Sequence, residues 1–414
     1  MAPIVLTDLP TSTWTNWVGS QSFTPAFAAA PRDEEEVAAL VRQAAERGLG
    51  VRVAGAGHSF TLVVETSGLR LDLSALRGVL STDFESNRVT ALAGTRIHDF
   101  YAPLWKAGLA LRNQGDIDTQ QIAGAVATAT HGSGTRYTSL SGAVRGMRLV
   151  TASGELLDIS ESDPDLLHAA QVSVGMLGVV TRLDLDVTDA YRLREHVSLR
   201  SWEDVMEHWD ELVSEHRHFG FFWLPSEESA TLYNLKGHGE PMGDQCYVKV
   251  YDEVDPDVPD DDTEGHRVDR CYRIFPMVYD PNFHELEYFV PLEHAPQALA
   301  AMRELMRSSL PDSVYPLEVR TVGADDALLS PQYKTATTAI SVSGKPGTDY
   351  WSYLRSVDAL LAEFGARVHW GKLHFLTPER LHKLYPRADD FIALRRELDP
   401  EGVFLNDHLR PLFA

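Results

Sequence analysis

The sequence has little cysteine, little positive charge and no long apolar run. Cys246 and Cys271 are its only cysteines, too few for a disulfide framework or a cysteine-based zinc or iron–sulfur site. Its 37 Lys and Arg residues stand against 60 Asp and Glu, and the net charge of −23 repels nucleic acid and anionic lipid. No stretch approaches the roughly 18 apolar residues that cross a bilayer, and the N-terminus lacks a basic segment followed by an apolar core. We therefore expect a cytoplasmic protein without nucleic-acid or membrane partners, either a monomer or a small homo-oligomer.

The chain is long enough for two domains. Its 414 residues, 44% of them hydrophobic, can bury a large core. Residues 33–50 have an acidic first turn and apolar spacing near 3.6, which predicts a helix that stops at Gly48 or Gly50. Alternating segments on either side of Ser153 and Gly154 predict a hairpin. We expect an α+β domain with further helices around 96–108 and 162–170, a boundary near residue 188, and then mixed strands with a helix at about 295–308.

Two segments resemble metal sites but lack the spacing that such sites need. The acidic stretch 252–265 carries Pro256 and Pro259, which break the EF-hand spacing, so we expect a solvated loop. Residues 284–288 read HELEY and lack the second histidine of zinc peptidases, which predicts a strand that carries its polar residues outward. We predict no metal site.

The stretch RVAGAGHSFT, residues 52–61, places a glycine-alternating turn after a β-branched run. Gly55 and Gly57 fit the first glycines of a dinucleotide fingerprint, but Phe60 stands where its third glycine would be. The turn can present backbone N–H groups to a phosphate, and His58 adds a ring nitrogen. From these ten residues alone, His58 is either an ordinary surface or core histidine or a functional group.

A second informative stretch, residues 113–142, is rich in small residues. Small side chains let the backbone approach a planar or phosphorylated group, and Thr128, Thr130 and Ser133 supply hydroxyl donors. The run suits a pyrophosphate, but its composition equally fits a buried Gly/Ala-rich helix followed by a loop.

Taken together, the motifs resemble the vanillyl-alcohol oxidase superfamily, in its sugar-lactone and polyol oxidase branch. The residues that carry the resemblance are AGAGHS, IAGAVATATHGSG, GMLGVVTRL, YPLEVRTVGADDALLSPQY, HWGKLH and LDPEGVFLNDHLRPLF, in that order. The resemblance implies a two-domain flavoprotein. Residues 14–188 would form the FAD-binding domain, of PCMH type. Residues 189–414 would form a substrate or cap domain with a mixed or antiparallel sheet, from which residues 369–414 return to the flavin site.

The resemblance also implies how FAD is held. His58 would be the covalent anchor, with its ring nitrogen bonded to the 8α-methyl carbon of the flavin. A neutral imidazole is a good nucleophile, and the substituent would raise the reduction potential. Residues 1–188 contain no cysteine, which excludes a second, cysteinyl link. The other residues expected to contact FAD are Val53, Ala54, Gly55, Ala56, Gly57, Ser59, Asp116, Gln121, Gly124, Thr128, Ala129, Thr130, His131, Val180 and Lys372.

The resemblance assigns catalytic roles to three residues. Lys372 would stabilise the charge of the reduced flavin, and Glu318 and Arg320 would face the substrate. Spacing i and i+2 on a strand places Glu318 and Arg320 on one face, although an exposed ion pair is the alternative.

Further residues would bind the substrate or admit oxygen. His369 would lie at the substrate, where a structural role suits it at least as well as a catalytic one. Gly115 would leave a path for oxygen. Asp116 stands where alditol oxidases of the branch have serine, and it is either a substrate or a cofactor contact. Ser341 and Ser343 replace a histidine and a threonine of those enzymes at the substrate site.

We therefore expect an FAD-dependent oxidase of a CH–OH group in a sugar lactone or other polyhydroxylated small molecule. Hydride would pass to flavin N5, and molecular oxygen would reoxidise the flavin and give hydrogen peroxide. The alternatives are oxidation of primary hydroxyls in alditols, glycosides or nucleosides, and a flavin dehydrogenase with an acceptor other than oxygen.

Overall fold

The first half of the chain forms two main sheets with helices packed against them. The structure is a computed structural model that describes residues 4–236, 239–277, 280, 282–308 and 314–414. The strands of this half are β1 (Trp14–Thr15), β2 (Ser22–Phe23), β3 (Phe27–Ala29), β4 (Val51–Val53), β5 (Leu69–Leu71), β6 (Val79–Asp83), β7 (Arg88–Leu92), β8 (Leu109–Leu111), β9 (Val144–Val150), β10 (Leu156–Ser160) and β11 (Val179–Asp189). Its helices are α1 (Glu34–Ala45), α2 (Tyr101–Lys106), α3 (Ile122–Ala127) and α4 (Pro164–Gln171).

These strands pair in two different ways. β3, β5 and β4 form a parallel sheet in that order. An antiparallel sheet has the order β10-β9-β11-β7-β6, and β8 pairs with the end of β11. The glycine-rich turn therefore leaves a parallel strand, β4, which is where phosphate-binding turns are found in α/β folds.

The second half builds one large antiparallel sheet with the order β15-β12-β14-β13-β17-β18-β16-β19. Its strands are β12 (Arg192–Ser201), β13 (His218–Leu224), β14 (Gln245–Val254), β15 (Val268–Arg270), β16 (His284–Pro291), β17 (Leu317–Val322), β18 (Thr337–Gly344) and β19 (Arg367–Val368). Its helices are α5 (Trp202–Glu207), α6 (Trp209–Glu215), α7 (Glu227–Leu232), α8 (Cys271–Ile274), α9 (Ala295–Ser308), α10 (Trp351–Ala362), α11 (Pro378–Leu384), α12 (Ala388–Leu398) and α13 (Arg410–Phe413).

Several predicted elements are confirmed. α1 starts after Asp33, whose carboxylate accepts the Glu36 N–H, and it ends before Gly48, which has a φ of +64°. The hairpin around Gly154 is β9 and β10, and α9 lies where a helix was expected. The chain passes from the first group of sheets to the large sheet between β11 and β12.

The prediction for HELEY is half wrong. The segment is a strand, β16, but Glu285 and Glu287 are 5% and 1% exposed and do not point outward. β16 lies inside the large sheet, between β18 and β19, and both of its faces are covered. A single segment with alternating polar residues does not reveal that the polar face lines an internal cavity.

The C-terminal segment returns to the first half of the chain. The Val51 N–H donates to the Val403 carbonyl, and the Phe60 N–H donates to the Gly371 carbonyl at 2.7 Å. Asn406 Nδ2 donates to the carbonyls of Leu62 and Glu65. These contacts hold the C-terminal segment against β4 and against the residues that follow the glycine-rich turn. None of the helices in the described ranges is long and apolar enough to cross a membrane.

Candidate active site

Two adjoining cavities lie around the glycine-rich turn. The first, here called the cofactor cleft, runs between β4, α3 and the loop before β11. The second, the active-site cavity, lies between the first half and the large sheet. His58, Ser59, Gln120 and Thr128 line both cavities, so the two spaces are continuous.

Most of the residues expected to contact FAD line the cofactor cleft. These are Val53, Gly55, Ala56, Gly57, Ser59, Gln121, Gly124, Thr128 and Val180. Asp116, Thr130, His131 and Lys372 line the active-site cavity instead. Ala54 and Ala129 are buried, and Ala129 turns the chain after α3 with a φ of +59°. In the described structure these two alanines line neither cavity, so they support its walls from behind.

The turn itself is built for close approach to a ligand. Residues 55–59 are consecutive and all line the cleft. Within the described ranges, none of their backbone N–H groups donates to a backbone carbonyl. A row of free N–H groups at a glycine turn is a binding site for phosphate oxygens. A Cβ on Gly55 would overlap Gln121 Oε1, and Gly57 has a φ of +77°, so larger residues would close or strain the turn.

Arg52 holds the cleft together and was not predicted. Its guanidinium donates to the carbonyls of Val63, Val174, Gly175 and Phe404 at 2.7–3.1 Å, so one buried side chain ties together loops from three parts of the chain. The one sequence signal for this role is a charged residue between two valines in β4. The carbonyl partners of Arg52 are distant along the chain, so the sequence alone does not identify them. Together the free N–H groups, the glycine cradle and this brace fit FAD.

Glu318 and Arg320 project from β17 into the active-site cavity. Arg320 Nε lies 3.2 Å from Glu318 Oε1, and Arg320 Nη2 lies 3.4 Å from Glu287 Oε1. The two side chains of the β17 pair are only 14% and 18% exposed, so this is an ion pair inside a cavity and not a pair on the outer surface. Among the described residues, Arg320 Nε is a buried donor without an aligned hydrogen-bond acceptor, so its contact with Glu318 is an ion pair and not a hydrogen bond.

The cavity makes Glu318 a group that can exchange a proton near neutrality. Burial raises the pKa of Glu318 to about 7, and the carboxylates of Asp116, Glu285 and Glu287 act in the same direction, whereas Arg320 opposes them. A carboxylate with a pKa near 7 accepts a proton at neutral pH and can return it. Glu318 therefore has the chemistry of a general base.

Lys372 lies on the same cavity and is fixed by a residue that was not predicted. Its Nζ forms an ion pair with Glu285 Oε2 and lies 5.1 Å from the centre of the Phe60 ring. The other oxygen of Glu285 accepts from Ser341 Oγ. Glu285 thus joins β16, β18 and the 369–374 segment at the cavity wall.

Only some of the residues predicted to bind substrate or admit oxygen line the active-site cavity. Asp116, His369 and Gly115 line the active-site cavity. Ser341 and Ser343 do not appear on its described wall, because Glu285 stands in front of Ser341 and the Tyr233 hydroxyl lies 2.7 Å from Ser343 Oγ. Glu285 and Tyr233 are the groups that a ligand in this cavity would meet.

His58 stands at the junction of the two cavities. Its Nε2 lies 3.0 Å from Thr119 Oγ1, and its ring centre is 5.2 Å from that of Trp17. Burial lowers the pKa of His58 to about 4, and the charges of Lys372 and Arg96 add to this shift. The imidazole is therefore neutral at physiological pH and keeps a lone pair.

The far end of the cavity holds His131, Glu287 and His369, whose potential ligand atoms lie within 4.8 Å of one another. A cation there would compete with the hydrogen bonds and the ion pair that these residues already form. Arg320 lies 3.4 Å from Glu287 Oε1, and His369 Nδ1 accepts the Gly371 N–H at 3.0 Å. The positive guanidinium and the occupied ring nitrogen favour a hydrogen-bonded cluster over a metal site.

The fold and these cavities define a two-domain flavoprotein oxidoreductase of the vanillyl-alcohol oxidase type. A general model of FAD-binding domains matches residues 25–160. The model described as D-arabinono-1,4-lactone oxidase matches residues 183–255 and 260–412. The chain belongs to the D-arabinono-1,4-lactone oxidase family.

Similar proteins and structures agree with this assignment. The chain is 35% identical to an L-gulono-1,4-lactone dehydrogenase of Mycobacterium tuberculosis, over 96% of this chain and 98% of the relative. It is 31% identical to an alditol oxidase of Streptomyces sp., with the same coverage of both chains. A solved structure of a solvent-stable cholesterol oxidase superposes with a TM-score of 0.85 at 17% identity, covering 99% of each chain, and this likeness concerns the fold alone.

Proposed function

We propose that the protein is an FAD-dependent oxidase of a CH–OH group in a sugar lactone or another small polyhydroxylated molecule, with oxygen as the acceptor. The observation that carries the proposal is the grouping of Glu318, Arg320 and Lys372 in one cavity that joins the cofactor cleft at His58. The relatives named for lactone and alditol oxidation support this substrate class. We assign residues 14–188 to the FAD-binding domain and residues 189–414 to the substrate domain.

In this proposal the chain's own groups divide the work. Bound FAD would supply the hydride acceptor. Glu318 accepts the proton of the reacting hydroxyl, because its carboxylate is half-buried and titrates near neutrality. Arg320 orients the hydroxyl oxygen through its guanidinium, and Lys372 places a positive charge on the cavity wall. Glu285 and Tyr233 are the contacts for the remaining hydroxyls of the substrate.

His58 is the proposed covalent anchor of FAD. Three features support it: the ring stands where the two cavities meet, it is neutral, and Thr119 can hold it in one orientation through Nε2. A neutral imidazole is the form that acts as a nucleophile.

The electron acceptor is assigned separately, because the relatives include both oxidases and a dehydrogenase. Gly115 lines the active-site cavity and supports oxygen as acceptor, since a side chain there would occupy part of the cavity wall. A dehydrogenase with another acceptor is the alternative, and the name of the Mycobacterium tuberculosis relative favours it.

A panel of lactones, alditols, sugars, glycosides and nucleosides tests the proposal. Each compound is mixed with the holoenzyme, first without oxygen while flavin absorbance is followed, and then in air while hydrogen peroxide is measured. We expect bleaching of the flavin by a lactone or small polyol, and peroxide in proportion to turnover. Bleaching without peroxide would establish the dehydrogenase alternative. Failure of every compound to bleach the flavin would contradict the substrate class.

A further inference from the structure

The buried histidines of this chain differ in the atoms that face their ring nitrogens. A neutral imidazole carries one N–H donor and one acceptor nitrogen, whereas an imidazolium carries two donors. The partners of both nitrogens therefore report the charge of a buried ring. His131, His218 and His369 are 3%, 0% and 5% exposed, so water contributes little to satisfying them.

His218 and His369 have partners that fit a neutral ring. His218 Nδ1 donates to the Ser133 carbonyl at 2.7 Å, and its Nε2 accepts from Arg217 Nε at 3.1 Å. His369 Nδ1 accepts the Gly371 N–H. Burial lowers the pKa of both rings to about 3, which agrees with these hydrogen bonds.

His131 has a different partner set. Its Nδ1 lies 2.8 Å from the Gly132 carbonyl oxygen, and its Nε2 lies 3.0 Å from Glu287 Oε1. A carbonyl oxygen and an ionised carboxylate oxygen both accept and neither donates. Each ring nitrogen must then carry a proton, unless Glu287 is itself protonated.

The surroundings favour an ionised Glu287. Arg320 Nη2 lies 3.4 Å from the same oxygen that faces His131. Although burial raises the pKa of Glu287, the hydrogen bond with His131 and the charge of Arg320 hold that pKa well below its usual range. The Glu287 carboxylate then lies between the His131 ring and the Arg320 guanidinium, which is itself shared with Glu318.

We propose that Glu287 holds His131 as a buried imidazolium, and that this fixed charge on the cavity wall stabilises reduced FAD. In this proposal His131 carries the positive charge. Glu287 is a positioning residue in β16 that holds the His131 ring, which belongs to the first half of the chain. A fixed charge in a water-poor cavity acts strongly on negative charge that develops nearby. The inference rests on FAD binding and does not depend on the identity of the substrate.

The protonation of His131 is measured directly by nitrogen NMR. Holoenzyme labelled with ¹⁵N at its histidines is recorded at mildly alkaline pH, and the His131 signals are assigned by their loss in His131→Gln. We expect both nitrogens of His131 to be protonated, whereas His218 serves as the neutral internal control. In Glu287→Gln, the His131 ring should lose one proton. A neutral His131 in the wild type, or a His131 nitrogen that binds a metal in place of a proton, would overturn the proposal.

The effect on the cofactor is measured as the reduction potential of bound FAD. His131→Gln should lower the equilibrium constant for two-electron reduction about tenfold, which corresponds to about 30 mV. Phe289→Leu is the matched control, because the Phe289 ring packs edge-on against His131 at 5.0 Å and carries no charge. An unchanged potential in His131→Gln, or an equal fall in Phe289→Leu, would contradict a charge effect. If His131→Gln does not fold, the histidine ¹⁵N signals that change in Glu287→Gln identify His131, and their wild-type shifts still decide its protonation.

Discussion

Glu318, Arg320 and Lys372 line one cavity, and each of these charged side chains lies beside an oppositely charged one. Glu285 pairs with Lys372, Glu287 lies beside Arg320, and Arg320 lies beside Glu318. Buried pairs of this kind fix the position of a charge, because removing one partner leaves the other uncompensated. Burial, together with the neighbouring carboxylates, gives Glu318 its raised pKa, and the ion pair with Glu285 fixes the position of Lys372.

Lys372 provides a test at the level of one side chain. Lys372→Met keeps most of the length of the side chain and removes its charge. We expect the rate of anaerobic flavin reduction to fall about a hundredfold to a thousandfold, as for the loss of one preorganised charge or donor. Stopped-flow absorbance measures the rate. If the rate falls but FAD content and thermal stability also collapse, the effect belongs to the loss of the Glu285 partner and not to catalysis.

His58 provides a second test at this scale. His58→Ala should remove the covalent link, so that FAD dissociates from the denatured protein. Flavin fluorescence of a denaturing gel under ultraviolet light, after acid treatment, distinguishes the two states. Thr119→Val is a useful companion, because it removes the hydroxyl 3.0 Å from His58 Nε2 and should slow or reduce attachment. A fluorescent band that persists in His58→Ala would place the link on another residue.

At the level of elements, the loop after β8 forms the wall between the two halves of the chain. Gly115 in this loop lies so close to the 128–131 segment that a Cβ would stand 2.8 Å from the His131 carbonyl oxygen. A larger residue must therefore shift a backbone or enter the active-site cavity. This contact could not be predicted from sequence, since it joins segments that are brought together only by the fold.

Substitutions at Gly115 separate oxygen access from packing. Gly115→Val should slow reoxidation by oxygen much more than reduction by substrate, because packed interiors do not readily open a new path. Gly115→Ala is the graded control and should show a smaller effect in the same direction. Stopped-flow measurement of both half-reactions gives the answer. Equal slowing of the two half-reactions would mean that Gly115 only lets its loop pack against the His131 backbone and does not control oxygen access.

The pairing of the strands explains which site residues can be predicted from sequence and which cannot. The glycine turn and the Glu318–Arg320 pair are local patterns, so spacing and resemblance identify them. Glu285 and Glu287 were misjudged because β16 pairs with β18, a strand about fifty residues away along the chain, and only that pairing turns its carboxylates inward. Ser341 and Ser343 were expected at the substrate, but their hydroxyls are taken up by Glu285 and Tyr233.

At the scale of the whole molecule, the net charge of −23 repels an anionic substrate, and the carboxylates of the active-site cavity repel it as well. A neutral lactone should therefore be used better than its open-chain aldonate. The difference in kcat/KM should narrow as salt rises, because the Debye length falls to about 8 Å at 0.15 M ionic strength. Initial rates with purified lactone and aldonate at several salt concentrations measure this. A preference for the aldonate would argue for a basic patch that admits the substrate.

The most direct test of the central claim, that this cavity oxidises a CH–OH group, is the pH dependence of flavin reduction in Glu318→Gln. Anaerobic reduction by a substrate from the panel is followed by stopped flow at limiting substrate concentration. In the wild type the rate should rise with pH through the pKa of Glu318, about 7, because the ionised carboxylate is the base. In Glu318→Gln the rate should be lower and this rise absent, while FAD remains bound. A variant that keeps the wild-type rate and pH profile would place the chemistry outside this cavity.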